Sequence, residues 1–264
     1  DRDAGLFIYK GDHFTSFMVP QFLPSNDVFT LAQDRTGRYW FGTGKGLALY
    51  NPVLKEEDRI KMSGFPPTLE GAQINIIRPD DNGNVWVATA GDEVYRYDLS
   101  DRNFRYDLDL NASLRSLRIA AMTTDHRGNL WIGTDRALIM WNMRLKESTT
   151  FTQINGLTGN NITSLFCDSR GCLWIGTEER NGLTRHIPGS STFTAVEFRS
   201  DVQPTVITET PDGVVWVGTI DGLYALKNDA VIRRLTEADG LLMNSINQLQ
   251  PDRSGNLFIG TNLG

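Results

Sequence analysis

Cysteine is almost missing from this chain of 264 residues: there are two, Cys167 and Cys172. They flank the four-residue turn "DSRG", so they could face each other across a hairpin. Two small core or surface residues is the simpler reading, because a strained cross-strand disulfide needs an oxidising compartment. No zinc spacing surrounds them, and no metal is expected. Histidine is also scarce. His13, His126 and His186 fall in a loop, a turn and a strand of the pattern below, a spread that suggests neither a triad nor a metal site. Basic charge is in deficit, with 26 Lys and Arg against 32 Asp and Glu, which argues against nucleic acid or an anionic membrane surface as main partner. No apolar run reaches the roughly 18 residues of a membrane span. No charged-then-apolar leader is visible. The chain opens without Met at "DRDAGLF", inside a repeat, and is therefore expected to be excised from a longer multidomain protein. No stretch carries a helical apolar stripe over three turns.

What the sequence does have is a phrase used six times. "DRTGRYWFGT", "DNGNVWVAT", "DHRGNLWIGT", "DSRGCLWIGT", "PDGVVWVGT" and "DRSGNLFIGT" align on Trp40, Trp86, Trp131, Trp174, Trp216 and Phe258, at spacings of 46, 45, 43, 42 and 42 residues. A catalytic motif is needed once, whereas a period in the forties marks a propeller or solenoid array. The intervening runs are short, rich in β-branched and aromatic residues and punctuated by Gly, Asp and Asn, which selects strands.

One unit reads as four strands: A over 161–167, B over 172–177, C over 182–186 and D over 193–198. Between A and B, Asp168 can accept backbone N–H groups and Gly171 can supply a positive φ. Thr210 replaces that Asp in one copy, while Gly213 keeps its place. Strand B is apolar at consecutive positions, as a strand covered on both faces requires. The anchor aromatic should fill the gap between neighbouring units. The small residue two positions later should permit close backbone approach, and the invariant Thr after it should tie down the B–C turn. Tyr9, Tyr50, Tyr97, Trp141, His186 and Leu226 share one strand-C slot and read as packing residues. The expected fold is all-β: a β-propeller of four-stranded antiparallel blades forming one domain over 1–264. Strands C and D at the start and A and B at the end make six blade equivalents, with one blade shared between the N- and C-termini. Part of a seven-bladed ring is the alternative.

The phrase D-x-x-G-N-L-W-I-G-T-x-x-G-L resembles the two-component regulator propeller repeat, and "GLTGNNITSL" and "GLLMNSINQL" resemble that family's linker into strand A. The resemblance spans nearly the whole chain but is degenerate at "GDEVYRY" and "DRALIMW", which lack the usual Gly-Leu. It implies a periplasmic sensor region of a bacterial hybrid two-component system. Such a region adjoins a further propeller, an immunoglobulin-like module, a membrane helix and a histidine kinase, and responds to carbohydrate-derived ligands.

Blade geometry puts the D–A and B–C loops on one face. Asn26, Glu70, Arg118, Asn161 and Asn244 come from the first set; Arg136, Glu178 and Arg180, with Lys45, come from the second. These positions differ between repeats, so the framework does not dictate them. Mixed Asn, Arg and Glu could hydrogen-bond an oligosaccharide or other small polar ligand. Catalysis is not expected. "GTGKG" lacks the Walker spacing, Glu178 and Glu179 are adjacent and point apart, and no cofactor motif occurs. A propeller glycosidase or lyase, and a ligand-free scaffold or homodimerisation module, are the rival readings.

Overall fold

The computed structural model describes residues 5–10, 13–55, 59–179, 181–190, 192–198 and 202–263. The chain divides into two compact units, Asp1–Ser116 and Leu117–Gly264. The first opens with a two-stranded ladder, β1 (Leu6–Lys10) and β2 (His13–Phe17); His13 therefore starts a strand rather than lying in a loop. Two four-stranded meanders follow. The first runs β3 (Val28–Gln33), β4 (Tyr39–Thr43), β5 (Gly46–Tyr50) and β6 (Ile60–Lys61). The second runs β7 (Ile74–Pro79), β8 (Asn84–Thr89), β9 (Val94–Asp98) and β10 (Asn103–Tyr106).

The second unit has three meanders. They are β11 (Ile119–Thr124) to β14 (Glu147–Phe151) through β12 (Asn129–Thr134) and β13 (Leu138–Asn142); β15 (Ile162–Cys167), β16 (Leu173–Thr177), β17 (Leu183–His186) and β18 (Phe193–Ala195); and β19 (Pro204–Glu209), β20 (Val215–Thr219), β21 (Gly222–Lys227) and β22 (Ala230–Leu235). It closes on a second two-stranded ladder, β23 (Ile246–Pro251) with β24 (Leu257–Thr261). Five blades are thus complete. The blade expected to be shared between the chain ends is represented by one two-stranded ladder in each unit.

The repeated Asp and Trp form one device. The indole N–H of the anchor donates to the turn carboxylate six residues earlier: Trp40 to Asp34 at 2.8 Å, Trp86 to Asp80 at 3.0 Å, Trp131 to Asp125 at 2.9 Å and Trp174 to Asp168 at 3.0 Å. The other carboxylate oxygen caps the A–B turn, as Asp168 does for the N–H groups of Arg170 and Cys172. Each carboxylate therefore binds the turn to the core. Burial opposes ionisation of Asp34, but hydrogen bonds from Thr36 and Trp40 and the Arg38 charge outweigh it and hold the carboxyl below its ordinary value. Where Thr210 replaces Asp, its hydroxyl accepts from Trp216 at 3.0 Å and donates to Asp212 at 2.6 Å, so a carboxylate two residues on completes the brace.

Packing follows the repeat. All six residues of β8 and all five of β16 are buried. Inside each unit the anchor meets the strand-C slot of the following blade. Tyr97 stands edge-on to Trp40 with centroids 4.9 Å apart, His186 lies 5.6 Å from Trp131, and Leu226 shares a core cluster with Trp174. A Cβ added at Gly176 would come within 2.3 Å of Ser164 Oγ and 2.9 Å of Pro204 Cβ on the next inner strand, so this close approach needs glycine. The invariant Thr closes the B–C turn: Thr43 donates to Gly46 O at 2.8 Å, Thr134 to Ala137 O at 2.8 Å and Thr219 to Gly222 O at 2.7 Å.

Three features depart from the sequence reading. A short helix, α1 (Leu108–Ser113), occupies the D–A connection before Arg118, capped by Asp107. Its Asn111 accepts from Val94 N at 2.8 Å and donates to Val94 O at 2.9 Å, pairing with the edge of β9 as a strand would. Every inner strand carries a register shift at its second residue, at Phe29, Asn75, Ala120, Thr163, Thr205 and Asn247. Finally, Cys167 faces Leu173 in the ladder rather than Cys172, and both thiols are free. Burial, reinforced by Asp125 and Asp168, pushes the Cys167 thiol up to about 12.

Candidate ligand-binding face

The D–A and B–C loops meet within four blades because the residue after the invariant Thr donates its N–H to the residue just before strand A. The pairs are Gly44 to Asp27 O at 2.9 Å, Ala90 to Gln73 O at 2.8 Å, Asp135 to Arg118 O at 3.0 Å and Glu178 to Asn161 O at 2.9 Å. The inner-strand bulges lie at the same end and re-aim one side chain per blade there. Thr163 and Thr205 use theirs as latches, donating to Pro204 O at 2.6 Å and Ile246 O at 2.5 Å on the neighbouring inner strand.

In the first unit this face holds a recess of about 210 Å³ lined by Lys45, Glu70, Pro24 and Met62. Glu70 is exposed, and Gly71 N donates to Lys45 O at 3.2 Å, which fixes the two loops together. Asn26 is partly committed: its Oδ1 accepts from Val19 N at 2.9 Å.

In the second unit the candidates form two groups. Arg118 is exposed, and its N–H donates to Asp135 Oδ1 at 2.9 Å, while Arg136 Nε stands 3.7 Å from Asp135 Oδ2. Asn161 donates its side-chain amide to Glu178, and Gln203 donates to Glu178 O at 2.6 Å. Asn244 belongs to the linker: its Oδ1 accepts from Glu237 N at 2.9 Å, as Asn160 accepts from Gln153 N at 2.8 Å. Each caps a single 3-10 turn ended by a left-handed glycine, Gly240 or Gly156. Arg180 lies outside the described residues. Glu179, another B–C loop residue of this face, has a buried Oε2 without a hydrogen-bond partner. Only the fold shows that this carboxylate turns in against Gly159, where an added Cβ would overlap it. No group of metal-ligating side chains occurs among the described residues. No helix among them is long and apolar enough to cross a membrane.

Known proteins share both repeat and fold. Residues 23–45, 113–136 and 156–179 match the two component regulator propeller family, each segment running from a D–A linker to a B–C loop. No curated protein sequence matches significantly. Among solved structures, the chain is similar to the extracellular domain assigned to the hybrid two component system BT3049 from B. thetaiotaomicron, with 20% identity and a TM-score of 0.78 over 98% of this chain and 35% of that one. It is also similar to PorZ, a surface component of the type-IX secretion system of Porphyromonas gingivalis, with 19% identity and a TM-score of 0.71 over 97% of this chain and 41% of that one. Virginiamycin B lyase from Staphylococcus aureus, solved with quinupristin, gives 15% identity and a TM-score of 0.72 over 92% of this chain and 79% of that one. The chain thus spans well under half the length of the first two.

Proposed function

We propose that this chain, three segments of which match the two component regulator propeller family, is a non-catalytic, ligand-sensing input domain of a hybrid two-component system. The ligand is a carbohydrate-derived or other small polar molecule received on the D–A and B–C loop face. The observation that carries this reading is the recess of about 210 Å³ where Lys45 and Glu70 stand on loops pinned by backbone hydrogen bonds. The framework is shared by every blade, whereas Lys45, Glu70, Arg118, Arg136, Asn161 and Glu178 are particular to one blade each. Rigid elements carrying variable polar groups are a sound basis for recognition. The likeness to an extracellular domain supports a periplasmic setting, as the input region of an inner-membrane protein. On this reading a second propeller, an immunoglobulin-like module and a histidine kinase belong to other parts of the same protein, and a homodimer is a route for the signal. A ligand can bias the kinase only through its differential affinity for the two signalling states.

A thermal-shift screen of the chain against acidic and neutral oligosaccharides tests the proposal. At about 100 times its Kd, a specific ligand stabilises by roughly 2.7 kcal/mol. That shift should disappear in Lys45→Ala or Glu70→Ala, or in Arg118→Ala if the second unit holds the ligand. A shift untouched by all three would remove the loop face. Conversion of a ligand to product would favour a lyase, the reading that the resemblance to virginiamycin B lyase keeps open.

A further inference from the structure

A second hollow lies at the other end of the strands, where the A–B and C–D turns gather. It is a cleft of about 590 Å³ in the second unit, between the β11–β14 and β15–β18 blades. Its wall is the anchor Trp131 with Phe151, rings stacked 5.7 Å apart, and His186.

The repeat supplies an internal control. The equivalent space in the first unit, between the β3–β6 and β7–β10 blades over Trp40, is about 240 Å³. There Tyr97 fills the strand-C slot against Trp40, with Phe104 paired beside it as Phe193 is paired beside His186, so the slot residue is what differs. In the second unit the slot holds the smaller His186, whose Nε2 donates to Ser190 O at 3.0 Å. The cleft is therefore more than twice the size of the space over Trp40.

Its polar groups are unequally used. The Asp125 carboxylate is occupied by the N–H groups of Arg127 and Asn129, the Asn129 amide and the Trp131 indole. Arg170 is divided between Asp168 at 3.2 Å and Asp229 at 3.9 Å. The Arg127 guanidinium lies at the rim beside Gly189, where an added Cβ would stand 3.3 Å from Nη2, and has no ion-pair partner among the described residues. An aromatic wall, satisfied acceptors and one open guanidinium select an anion with an apolar ring face. A guanidinium holds a carboxylate through two parallel N–H bonds, and the volume lies within the roughly 300–1,000 Å³ of small-molecule sites.

We propose that this interblade cleft is a second binding site, for a small carboxylate with a ring-shaped body. The carboxylate sits on Arg127, and the ring lies along Phe151 and Met140 above Trp131. The site does not depend on the loop face.

Isothermal titration of the whole chain with benzoate and glucuronate, against neutral benzamide and glucose, tests it. At least one acid should bind, about tenfold or more tighter than its neutral counterpart, and shift the Trp131 indole resonance in NMR spectra. Benzoate alone would identify an aromatic acid, glucuronate alone an acidic sugar, and both a site that reads the carboxylate. Arg127→Ala should weaken binding about tenfold or more. His186→Tyr should abolish it by filling the cleft with the residue that occupies the slot at Tyr97. Arg118→Ala, on the loop face, should leave it unchanged, which separates this site from the sensor reading. No binding of either acid at about 10 mM, ten times a millimolar Kd, overturns the proposal. So does binding that survives Arg127→Ala.

Discussion

Replacing Asp168 by Ala tests the central structural argument. The side chain is fully buried, and its carboxylate accepts from Cys172 N at 2.8 Å, Arg170 N at 3.0 Å, Trp174 Nε1 at 3.0 Å and Arg170 Nη2 at 3.2 Å. Arg170 is exposed and rehydrates when the carboxylate goes. Cys172 and Trp174 are buried, 8% and 1% exposed, so two donors are left without partners. Each orphaned buried donor costs about 1–3 kcal/mol, which places Asp168→Ala near 4 kcal/mol. The Thr210 blade supplies the graded comparison. Asp168→Thr keeps an acceptor for the indole and should cost about half as much. Adding Arg170→Asp reproduces the Thr210–Asp212 pair and should return about 1 kcal/mol, a coupling visible in a double-mutant cycle. Urea unfolding followed by tryptophan fluorescence and circular dichroism measures all three. If Asp168→Ala unfolds within about 0.5 kcal/mol of the parent, as a surface substitution would, the carboxylate is not the brace and the repeated Asp needs another explanation.

Two further outcomes follow from the same geometry. Gly176→Ala drives a Cβ to 2.3 Å from Ser164 Oγ and should cost about 1–3 kcal/mol by overpacking. Gly213→Ala meets no atom within 4 Å and should cost only the roughly 1–2 kcal/mol of a non-glycine residue at its φ of +75°; a Gly176→Ala midpoint equal to that of the parent would contradict the close approach of inner strands. Stability should also fall in acid. Asp34 has a folded pKa below its unfolded value, so its contribution is complete above about pH 4 and is lost as the pH drops through the folded value. A series of urea midpoints from pH 6 to about 2, in the parent and in Asp34→Asn, should converge toward the acid end; a constant gap would refute the linkage.

The strand plan was legible because it is written in local chemistry. The Asp–Gly turn, the apolar run of strand B and the small-Thr pair recur at a fixed period, and each recurrence reports the same packing demand. The strand-C slot was readable for the same reason: His186 and Trp141 stand where tyrosine stands in other copies, and they pack accordingly. The inner-strand bulges are not readable, because no side-chain chemistry is common to all of Phe29, Asn75, Ala120, Thr163, Thr205 and Asn247. Their common feature is a backbone register imposed by the neighbouring strand. Helix α1 is not legible in the sequence because six residues carry too little periodicity to reveal it, and Asn111 ties it to β9.

Site residues divide in the same way. Sequence selected the loop positions by their variability, but only the fold separated Asn244, spent on capping its own linker, from Lys45 and Glu70, which line a recess. The cleft over Trp131 was beyond sequence altogether. His186 looked like one more occupant of a packing slot, and so it is. The hollow exists because its ring is smaller than Tyr97 and is drawn toward Ser190. The sequence by itself determined the repeating blade, because turns, anchors and strand faces are specified within a few residues of one another. Tertiary structure alone decided where empty space remains between blades, because a void depends on the sizes and directions of side chains brought together from distant parts of the chain.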